Sequence, residues 1–321
     1  MHGDWTDLHA RLHRSLHQRQ LLPTGEKLLI AVSGGQDSLC LLRLLIDLRS
    51  HWHWQLGIAH CNHRWRSDSD ANAHHVQAIA QTYQLPFYGA IATEAQQSEA
   101  AARDWRYSVL TEIAQQHDYS AVVTGHTQSD RAETLLYNLV RGSGMDGLQA
   151  LTWKRKLGDR WLVRPLLNVT RSETAEFCLA QKLPVWEDCT NFDRHYARNR
   201  IRQELLPYLQ QHFNPQVDRA LAQTAELLRA DVEFLESAVD ALWPQIVDSS
   251  RVNRRSIATA PVALQRRLFK RWLAELLPTA PNFEQIEKLL MLIDAPNRSQ
   301  TDPFPGGAIA RVEADWIVLE R

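Results

Sequence analysis

The feature that most constrains this chain is an apolar run that ends in a glycine turn, Leu28 to Ser38, with the sequence Leu-Leu-Ile-Ala-Val-Ser-Gly-Gly-Gln-Asp-Ser. The run is too short for a typical helix and has no polar alternation, which predicts a parallel strand buried on both faces. Apolar residues at helical spacing between Gln36 and Leu48 predict a helix after the turn. Loop N–H groups and a helix N-terminus then converge on one place, which suits an anion.

The side chains of this turn fit a phosphate group. Gly34 and Gly35 let the backbone come close where a Cβ would obstruct it, and Ser33 and Ser38 add hydroxyl donors. Asp37 would repel a phosphate unless a divalent cation lay between them, so it favours a nucleotide bound with Mg²⁺ and is our candidate metal ligand. A tight turn without a ligand is the alternative.

Two other phosphate loops are excluded by this sequence. The Walker loop needs Lys followed by Ser or Thr after its last glycine, and the dinucleotide fingerprint needs a third glycine; the turn has neither. It resembles instead the Ser-Gly-Gly-x-Asp-Ser loop of the PP-loop ATP pyrophosphatases. That resemblance implies ATP cleavage between the α and β phosphates, with the nucleotide held by Ser33, Gly34, Gly35, Gln36, Asp37 and Ser38.

Length and composition set the broad class. The 321 residues are 44% hydrophobic and 23% charged, which suits a globular protein of two ordinary domains or one large one. We find no apolar run that could span a membrane and no signal-type N-terminus, so we expect a cytoplasmic protein. The four cysteines form no Cys-x-x-Cys pair, which argues against a zinc ribbon, a thioredoxin motif or an iron–sulfur site. The net charge of −1 does not by itself indicate a nucleic-acid partner, so any such partner would have to bind a local basic patch.

Strands recur about thirty residues apart with helices between them, which predicts an α/β fold with a doubly wound, Rossmann-like parallel sheet. The composition changes near residue 211, where a long helix is predicted from Asp218 to Leu242, and a closing hairpin is predicted close to the C-terminus. We therefore predict a PP-loop ATP-binding catalytic domain over residues 1–210. A smaller, mainly helical domain is predicted over residues 211–321.

Polar residues follow the predicted strands. His60 ends the second strand, and Gly125 and His126 end the fourth. Such sheets bind ligands at the carboxyl ends of their strands, so these three are candidate nucleotide-binding residues. Metal ligation without a compact zinc pattern and simple strand-end packing are the alternatives. Asp130 and Glu133 lie three apart on the next helix, where two carboxylates on one face suit a cation or an ammonium group; a solvated helix start is the alternative.

Arginines are grouped in three places. Arg103 and Arg106 lie three apart on the predicted third helix without matching acids, which suits phosphate or carboxylate recognition, and a salt-bridged surface is the alternative. Arg194, Arg198, Arg200 and Arg202 occur with His195 and Tyr196, a mixture typical of contact with an unpaired RNA base. Seven Lys or Arg and no acids between Arg251 and Ala274 predict a phosphate-facing surface, with an ordinary solvated helix face as the alternative.

Taken together, these segments resemble the tRNA(Ile)-lysidine synthetases. The matching stretches are residues 33–38, 60–66, 99–107, 124–151, 164–167 and 186–209. Two positions depart from the family pattern, because Ser129 stands where an acidic residue is expected and Cys189 where proline is usual.

The resemblance implies an ATP-dependent ligase that joins free lysine to C2 of the wobble cytidine of tRNA(Ile) with a CAU anticodon. The reaction would pass through an adenylated cytidine and change codon specificity from AUG to AUA. ATP and Mg²⁺ are implied as cofactors, with Asp37, Arg103 and Arg106 as catalytic residues. Asp130 and Glu133 would bind the lysine ammonium group, and Arg194, Arg198, Arg200 and Arg202 the tRNA.

Other function classes share parts of this pattern. A tRNA thiolase or an amidotransferase synthetase domain would carry the same loop. The absence of a Cys-x-x-Cys pair disfavours the thiolase, and the absence of a glutaminase-like segment disfavours the amidotransferase. A non-catalytic nucleotide-binding module is the third class. The sequence leaves monomer and homodimer equally open.

Overall fold

The computed structural model describes residues 5–64, 68–93, 98–186 and 197–320. The chain divides into two compact units, residues 1–229 and 230–321. Within the described ranges, no helix combines the length and the hydropathy that crossing a bilayer requires.

The first unit is built on a six-stranded sheet in the order β3-β2-β1-β4-β6-β5. Its strands are β1 (Lys27–Ala31), β2 (Gln55–Asn62), β3 (Phe87–Ile91), β4 (Ala121–Thr124), β5 (Lys154–Leu157) and β6 (Arg160–Val163). All neighbours are parallel except β5, which runs antiparallel to β6. The predicted doubly wound sheet is therefore confirmed, and its order reverses between β1 and β4, where ligands bind in such sheets.

Helices connect and cover these strands. They are α1 (Asp7–Gln18), α2 (Gln36–Trp52), α3 (Ser69–Thr82), α4 (Glu99–Gln116), α5 (Gln128–Val140), α6 (Met145–Leu148) and α7 (Arg171–Ala180). After residue 196 come α8 (Ala197–Arg200), a π-helical turn (Ile201–Leu205), α9 (Leu206–His212) and α10 (Val217–Ile246). The unit boundary lies within α10.

The apolar run is buried because helices pack on both faces of the sheet. Leu28, Leu29 and Ile30 are fully buried. Leu28 and Ile30 pack in a cluster with the leucines of α2, whereas Leu29 packs in a second cluster with Tyr107 and Leu110 of α4. The missing alternation in the sequence thus reflects a strand with apolar contacts on each side.

The strands β5 and β6 and the helix α7 were not predicted. β5 and β6 carry Lys154, Arg155, Lys156 and Arg160, residue types that are depleted or neutral in strands, and a tight turn through Gly158 at φ +61° joins them. Helix α7 begins at a capping box, in which Glu173 accepts from the backbone N–H of Thr170 and Thr170 accepts from that of Glu173. Thr-x-x-Glu was therefore an available helix-start signal.

The second unit has an antiparallel sheet in the order β7-β8-β10-β9, with β7 (Val247–Asp248), β8 (Arg251–Asn253), β9 (Ile309–Glu313) and β10 (Trp316–Glu320). Helices α11 (Arg254–Ala258), α12 (Val262–Leu276) and α13 (Phe283–Leu292) accompany it. Trp272 and Phe269 of α12 pack with Val312 and Ile317 of the sheet. The predicted closing hairpin is confirmed as β9 and β10.

Most of the positive charge in the basic run between Arg251 and Ala274 is paired with carboxylates. Five of its six arginines form such pairs: Arg251 with Asp248, Arg255 with Asp315, Arg266 with Glu287, Arg267 with Glu236, and Arg271 with Asp240 and Glu275. Because these arginines are paired, the number of cations in the run overestimates the positive charge that is available to bind phosphate.

Candidate active site

A cavity of about 450 Å³ opens at the carboxyl edge of the six-stranded sheet. Predicted site residues from four separate stretches line it: Ser33, Asp37 and Ser38; Arg103 and Arg106; Gly125, His126 and Asp130; and Arg198 and Arg202. The fold thus brings together groups that lie more than a hundred residues apart in the chain. Tyr107, Cys61, His63 and Asn199 line the same cavity.

The glycine turn connects β1 to α2, as predicted. Gly34 has φ +89°, and a Cβ there would collide with the side-chain amide of Asn72, so both conformation and space require glycine. Ser38 Oγ accepts from the backbone N–H of Ser33 at 3.2 Å and donates to the carbonyl of Gly35 at 2.8 Å. The hydroxyl of Ser38 therefore closes the loop on itself at the start of a 17-residue helix.

Two other elements hold the loop from outside. The Asn72 amide of α3 donates to the carbonyl of Ser33 at 2.9 Å, and the backbone N–H of Trp186 donates to the carbonyl of Gly34 at 2.9 Å. The indole of Trp186 in turn donates to Asp68 at 3.1 Å. Because these carbonyl oxygens are bound within the protein, the loop does not present them as repulsive acceptors to a phosphate.

Asp37 is held by α7. The hydroxyl of Thr174 donates to its Oδ1, and Nε of Arg171 lies 3.7 Å from its Oδ2. Gln36 binds the same helix, since its Nε2 donates to the carbonyl of Arg171 at 2.8 Å. Burial raises the pKa of Asp37; Arg171 opposes this effect, and the nearby Asp130 adds to it. The positive charge of Arg171 therefore does not offset the effects of burial and of Asp130 on the pKa of Asp37. Sequence reasoning missed Arg171 and Thr174 because it missed α7.

Gly125 and His126 line the cavity, whereas His60 is buried behind its lining. A Cβ on Gly125 would lie 2.7 Å from the carbonyl oxygen of Asp37 and 3.0 Å from the nitrogen of Ser38, so β4 and the first turn of α2 are in direct contact. His60 is buried, and its Nδ1 donates to the carbonyl of Val32 at 2.8 Å. His126 Nδ1 lies 2.9 Å from the hydroxyl of Thr124, and burial together with nearby arginines lowers the pKa of His126. The Asp130 carboxylate opposes this lowering.

The predicted acidic pair lies at the start of α5. Asp130 uses Oδ2 to cap the helix, accepting from the N–H and the hydroxyl of Thr127 at 2.8 and 2.9 Å. Its Oδ1 lies 3.2 Å from Arg198 and 3.4 Å from Arg202. Burial acts to raise the pKa of Asp130, but Arg198, His126, the Thr127 N–H and Arg202 together hold it well below its usual value. Asp130 is therefore ionised.

Glu133 is 1% exposed, and its carboxylate accepts hydrogen bonds from Arg198 and Arg202. Arg202 donates from Nε to Oε1 at 2.6 Å and from its terminal nitrogen to Oε2 at 2.8 Å, and Arg198 Nε lies 3.1 Å from Oε2. Arg198 and Arg202 lie four apart, on α8 and the π-helical turn, and so share a face. The acids were predicted to bind lysine and the arginines to bind tRNA. In the structure, Arg198 and Arg202 are paired with Asp130 and Glu133. Arg200 is exposed, and Arg194 lies outside the described residues.

Arg103 and Arg106 stand over Tyr107 on α4. Their guanidinium carbons lie 5.7 and 5.6 Å from the centre of its ring. Burial acts to raise the pKa of Tyr107, but Arg164, Arg106 and Arg103 outweigh it and lower the pKa. Arg164, which directly follows β6 and is 1% exposed, donates to the carbonyl of Thr152 at 2.8 Å. This end of the cavity is strongly positive, which suits an anion.

Cys61 and His63 at the end of β2 are both uncharged. Burial raises the pKa of Cys61 to about 12, against an opposing effect of Arg106. Burial, Arg106 and His60 lower the pKa of His63 to about 4. Neither residue therefore changes charge near neutral pH.

Comparison with known proteins agrees with this geometry. Residues 7–209 match the model of a PP-loop domain, and residues 254–317 match that of a TilS substrate binding domain. The tRNA(Ile)-lysidine synthase of Nostoc sp. is 58% identical over 98% of this chain and 97% of its own, and that of Synechocystis sp. is 51% identical over the same shares. The U34-tRNA thiolase NcsA of Methanococcus maripaludis shares the fold, with a TM-score of 0.58 at 14% identity over 69% of this chain and 77% of its own.

Proposed function

The chain belongs to the tRNA(Ile)-lysidine synthase family, and from this we propose that it joins lysine to the wobble cytidine of tRNA(Ile) with a CAU anticodon. The enzyme is a tRNA-modifying ligase that uses ATP. The observation that carries the proposal is one cavity lined by the phosphate loop, by Arg103 and Arg106, and by Asp130, whose partners Arg198 and Arg202 also hold the buried Glu133. A cytoplasmic location is part of the proposal, and a tRNA substrate supports it.

The reaction has two steps. In the first, the C2 oxygen of the cytidine attacks the α phosphate of ATP; an O–P bond forms, and the bond to pyrophosphate breaks. In the second, the lysine ε-amine attacks C2; a C–N bond forms, the C–O bond to AMP breaks, and the nitrogen gives up its proton. Both steps need the α phosphate, the base and the amine in one place, which one shared cavity supports.

The loop side of the cavity binds ATP. Ser33, Gly34, Gly35, Gln36 and Ser38 hold the pyrophosphate portion, and the N-terminus of α2 favours its negative charge. Gly125 and His126 line the cavity where the nucleotide rests, and His60 is buried behind this lining. Support comes from the close fit of Gly125 against Asp37 and Ser38, which fixes the loop relative to β4.

Asp37 fits a magnesium ligand. Mg²⁺ in nucleotide sites takes one or two carboxylates and completes its shell with phosphate oxygens and water. Asp37 is buried with one guanidinium 3.7 Å away, and Asp130 lines the same cavity, so a cation would balance charge here. When bound, the ion neutralises phosphate charge. Asp37 and Thr174 would hold and orient its shell.

The acidic pair binds the lysine ammonium group, and the arginine pair on α4 stabilises developing negative charge. Asp130 and Glu133 are the buried carboxylates that face the arginines of the cavity, and an ammonium group would share or replace those contacts. Arg103 and Arg106, fixed over the Tyr107 ring, are donors for the α phosphate or for the activated cytosine oxygen.

The tRNA contacts two regions in this proposal. Arg194, Arg198, Arg200 and Arg202 bind the anticodon loop near the cavity. Residues 211–321 form the tRNA-binding domain, which the substrate binding domain matched over residues 254–317 supports. The catalytic domain then comprises residues 1–210.

Other activities fit the cavity less well. Thiolation calls for a reactive thiolate, whereas Cys61, the cysteine that lines the cavity, is protonated at neutral pH. A non-catalytic nucleotide module would have no use for buried acids and arginines beside its loop.

Incubation with ATP, Mg²⁺, labelled lysine and a CAU-anticodon tRNA(Ile) transcript tests the proposal. We expect label to enter the tRNA with release of one AMP and one pyrophosphate per lysine. The matched control replaces only the wobble cytidine by uridine, which should abolish incorporation. Equal labelling of both transcripts, or none of either, would refute the proposal.

A further inference from the structure

The second unit has little uncompensated positive charge. Residues 230–320 contain ten Lys or Arg and thirteen Asp or Glu, so the unit as a whole does not attract a polyanion. Among its described residues, seven cations pair with carboxylates: Arg251, Arg255, Arg266, Arg267, Arg271, Lys288 and Arg311. Arg254 donates to the carbonyls of Ile293 and Ala295, and Lys270 also has an interaction.

Arg298 is the cation that remains. Within residues 230–320, it is the Lys or Arg whose side chain has neither a carboxylate partner nor another hydrogen bond, and it is exposed. A phosphate can therefore bind Arg298 without first breaking an ion pair. Every other arginine within residues 230–320 already has a hydrogen-bond partner.

The backbone around Arg298 is fixed. Its φ is +73°, in the left-handed region that non-glycine residues rarely occupy. The turn is fastened to β9 at three points: Arg298 N–H donates to Val312 at 2.8 Å, Val312 N–H donates to Ser299 at 2.9 Å, and Ala314 N–H donates to the Asn297 side chain at 2.9 Å. Strained residues persist where the surroundings determine them in this way, and they concentrate at functional sites.

The turn forms one wall of a groove of about 680 Å³. Asn297, Arg298 and Gln300 lie on one side, and Arg311 and Glu313 of β9 lie on the other. Arg311 is already paired with Glu320 at 3.1 Å, so the groove offers one free guanidinium flanked by two amides. Arginine, asparagine and glutamine are typical ligands of phosphate and sugar oxygens. The whole groove lies within residues 254–317, which match the substrate binding domain.

We propose that this groove binds one phosphodiester of the tRNA backbone, with Arg298 as the phosphate ligand and the amides of Asn297 and Gln300 on adjoining oxygens. The inference rests on the proposed function, because it takes tRNA as the substrate. It assigns the contact to the β9 groove and not to the basic run of α11 and α12, whose charges are compensated. Because one cation is available, the contact positions the tRNA and adds little general attraction.

Two matched substitutions test the groove. Arg298→Gln removes the free charge, and Arg266→Gln removes an exposed arginine of the same unit that is paired with Glu287. We expect Arg298→Gln to raise the KM for the tRNA(Ile) transcript about tenfold, the size of one lost charge-assisted contact. The values of kcat and the KM for ATP and lysine should stay unchanged. The slope of log affinity against log salt should fall by about 1. Arg266→Gln should change none of these.

A third variant separates charge from backbone strain. Arg298→Lys keeps the cation at the same strained position and should retain the salt slope of the unchanged protein. An unaltered tRNA KM in Arg298→Gln would overturn the inference, and so would an equal loss in Arg266→Gln. Direct binding of the transcript, measured without ATP or lysine, keeps this test independent of lysine incorporation. A chain that incorporates no lysine would refute the proposed function alone.

Discussion

Arg202, which lines the same cavity as the ATP loop, holds the buried Glu133 through two hydrogen bonds, from Nε at 2.6 Å and from a terminal nitrogen at 2.8 Å. Such a bidentate pair is both strong and directional. Its carboxylate is 1% exposed, so loss of Arg202 would leave a buried charge with only part of its compensation, from Arg198.

Glu133→Gln should raise the KM for lysine by at least about tenfold while the KM for ATP changes little, because a neutral amide attracts an ammonium group far less than a carboxylate does. Steady-state kinetics with each substrate varied in turn measure both constants. Glu176→Gln, on the exposed surface of α7, is the control. Equal increases in both constants would count against the ammonium site.

Arg202→Gln should lower the free energy of unfolding by about 2–4 kcal/mol, because Glu133 would lose its bidentate partner. Arg200→Gln, two residues away and exposed, should stay within about 0.5 kcal/mol of the unchanged protein. Urea denaturation of the two variants makes the comparison. If both lost the same stability, the pairing seen at Glu133 would contribute nothing measurable.

Asp37→Asn should abolish AMP formation without lowering stability at pH 7. Since burial raises the pKa of this carboxyl in the folded chain, its charged form opposes folding above that pKa, and a neutral amide removes the opposition. AMP release and thermal unfolding are measured on the same sample. Normal turnover would exclude a role for Asp37 in binding Mg²⁺, whereas a large loss of stability would point to a structural role.

Glu226→Gln should destabilise the protein near neutral pH, and the difference should shrink as the pH falls. Glu226 accepts from Arg131 at 2.7 Å, Trp153 at 2.9 Å and Arg19 at 2.7 Å, and these partners outweigh burial to bring its pKa to about 2. An acid with a depressed folded-state pKa stabilises above its unfolded value and loses that contribution as the pH drops through the folded one. Denaturation of both proteins from about pH 6 towards pH 3 tests this. A difference that is independent of pH would show that the charge is not its source.

The sequence predicted the parallel sheet and the loop because both depend on local signals. Three consecutive buried apolar residues and a glycine turn define β1 and its exit without reference to distant parts of the chain. Gly34 was assigned to close phosphate approach, and the structure adds a second requirement, its contact with Asn72.

The pairing of the acids with Arg198 and Arg202 could not be predicted, because it joins residues 65–72 positions apart through tertiary packing. Helix periodicity places each pair on a face but does not say which faces meet. The ion pairs of the basic run in the second unit could not be predicted for the same reason. Asp315 and Glu287, which neutralise two of its members, are distant in sequence. Thr174 is a different case, because the capping box before it was visible and was overlooked.

The backbone at Gly125 connects the loop side of the cavity to the side that Asp130 lines. Its Cα lies so close to the Asp37 carbonyl that no side chain fits, and five residues later the same stretch of chain supplies Asp130. A shift of β4 would move the nucleotide end and the amine end of the cavity together. In the proposed mechanism, the backbone contact between Gly125 and Asp37 would set the distance between the activated phosphate and the amine, and a methyl group added at Gly125 would increase that distance.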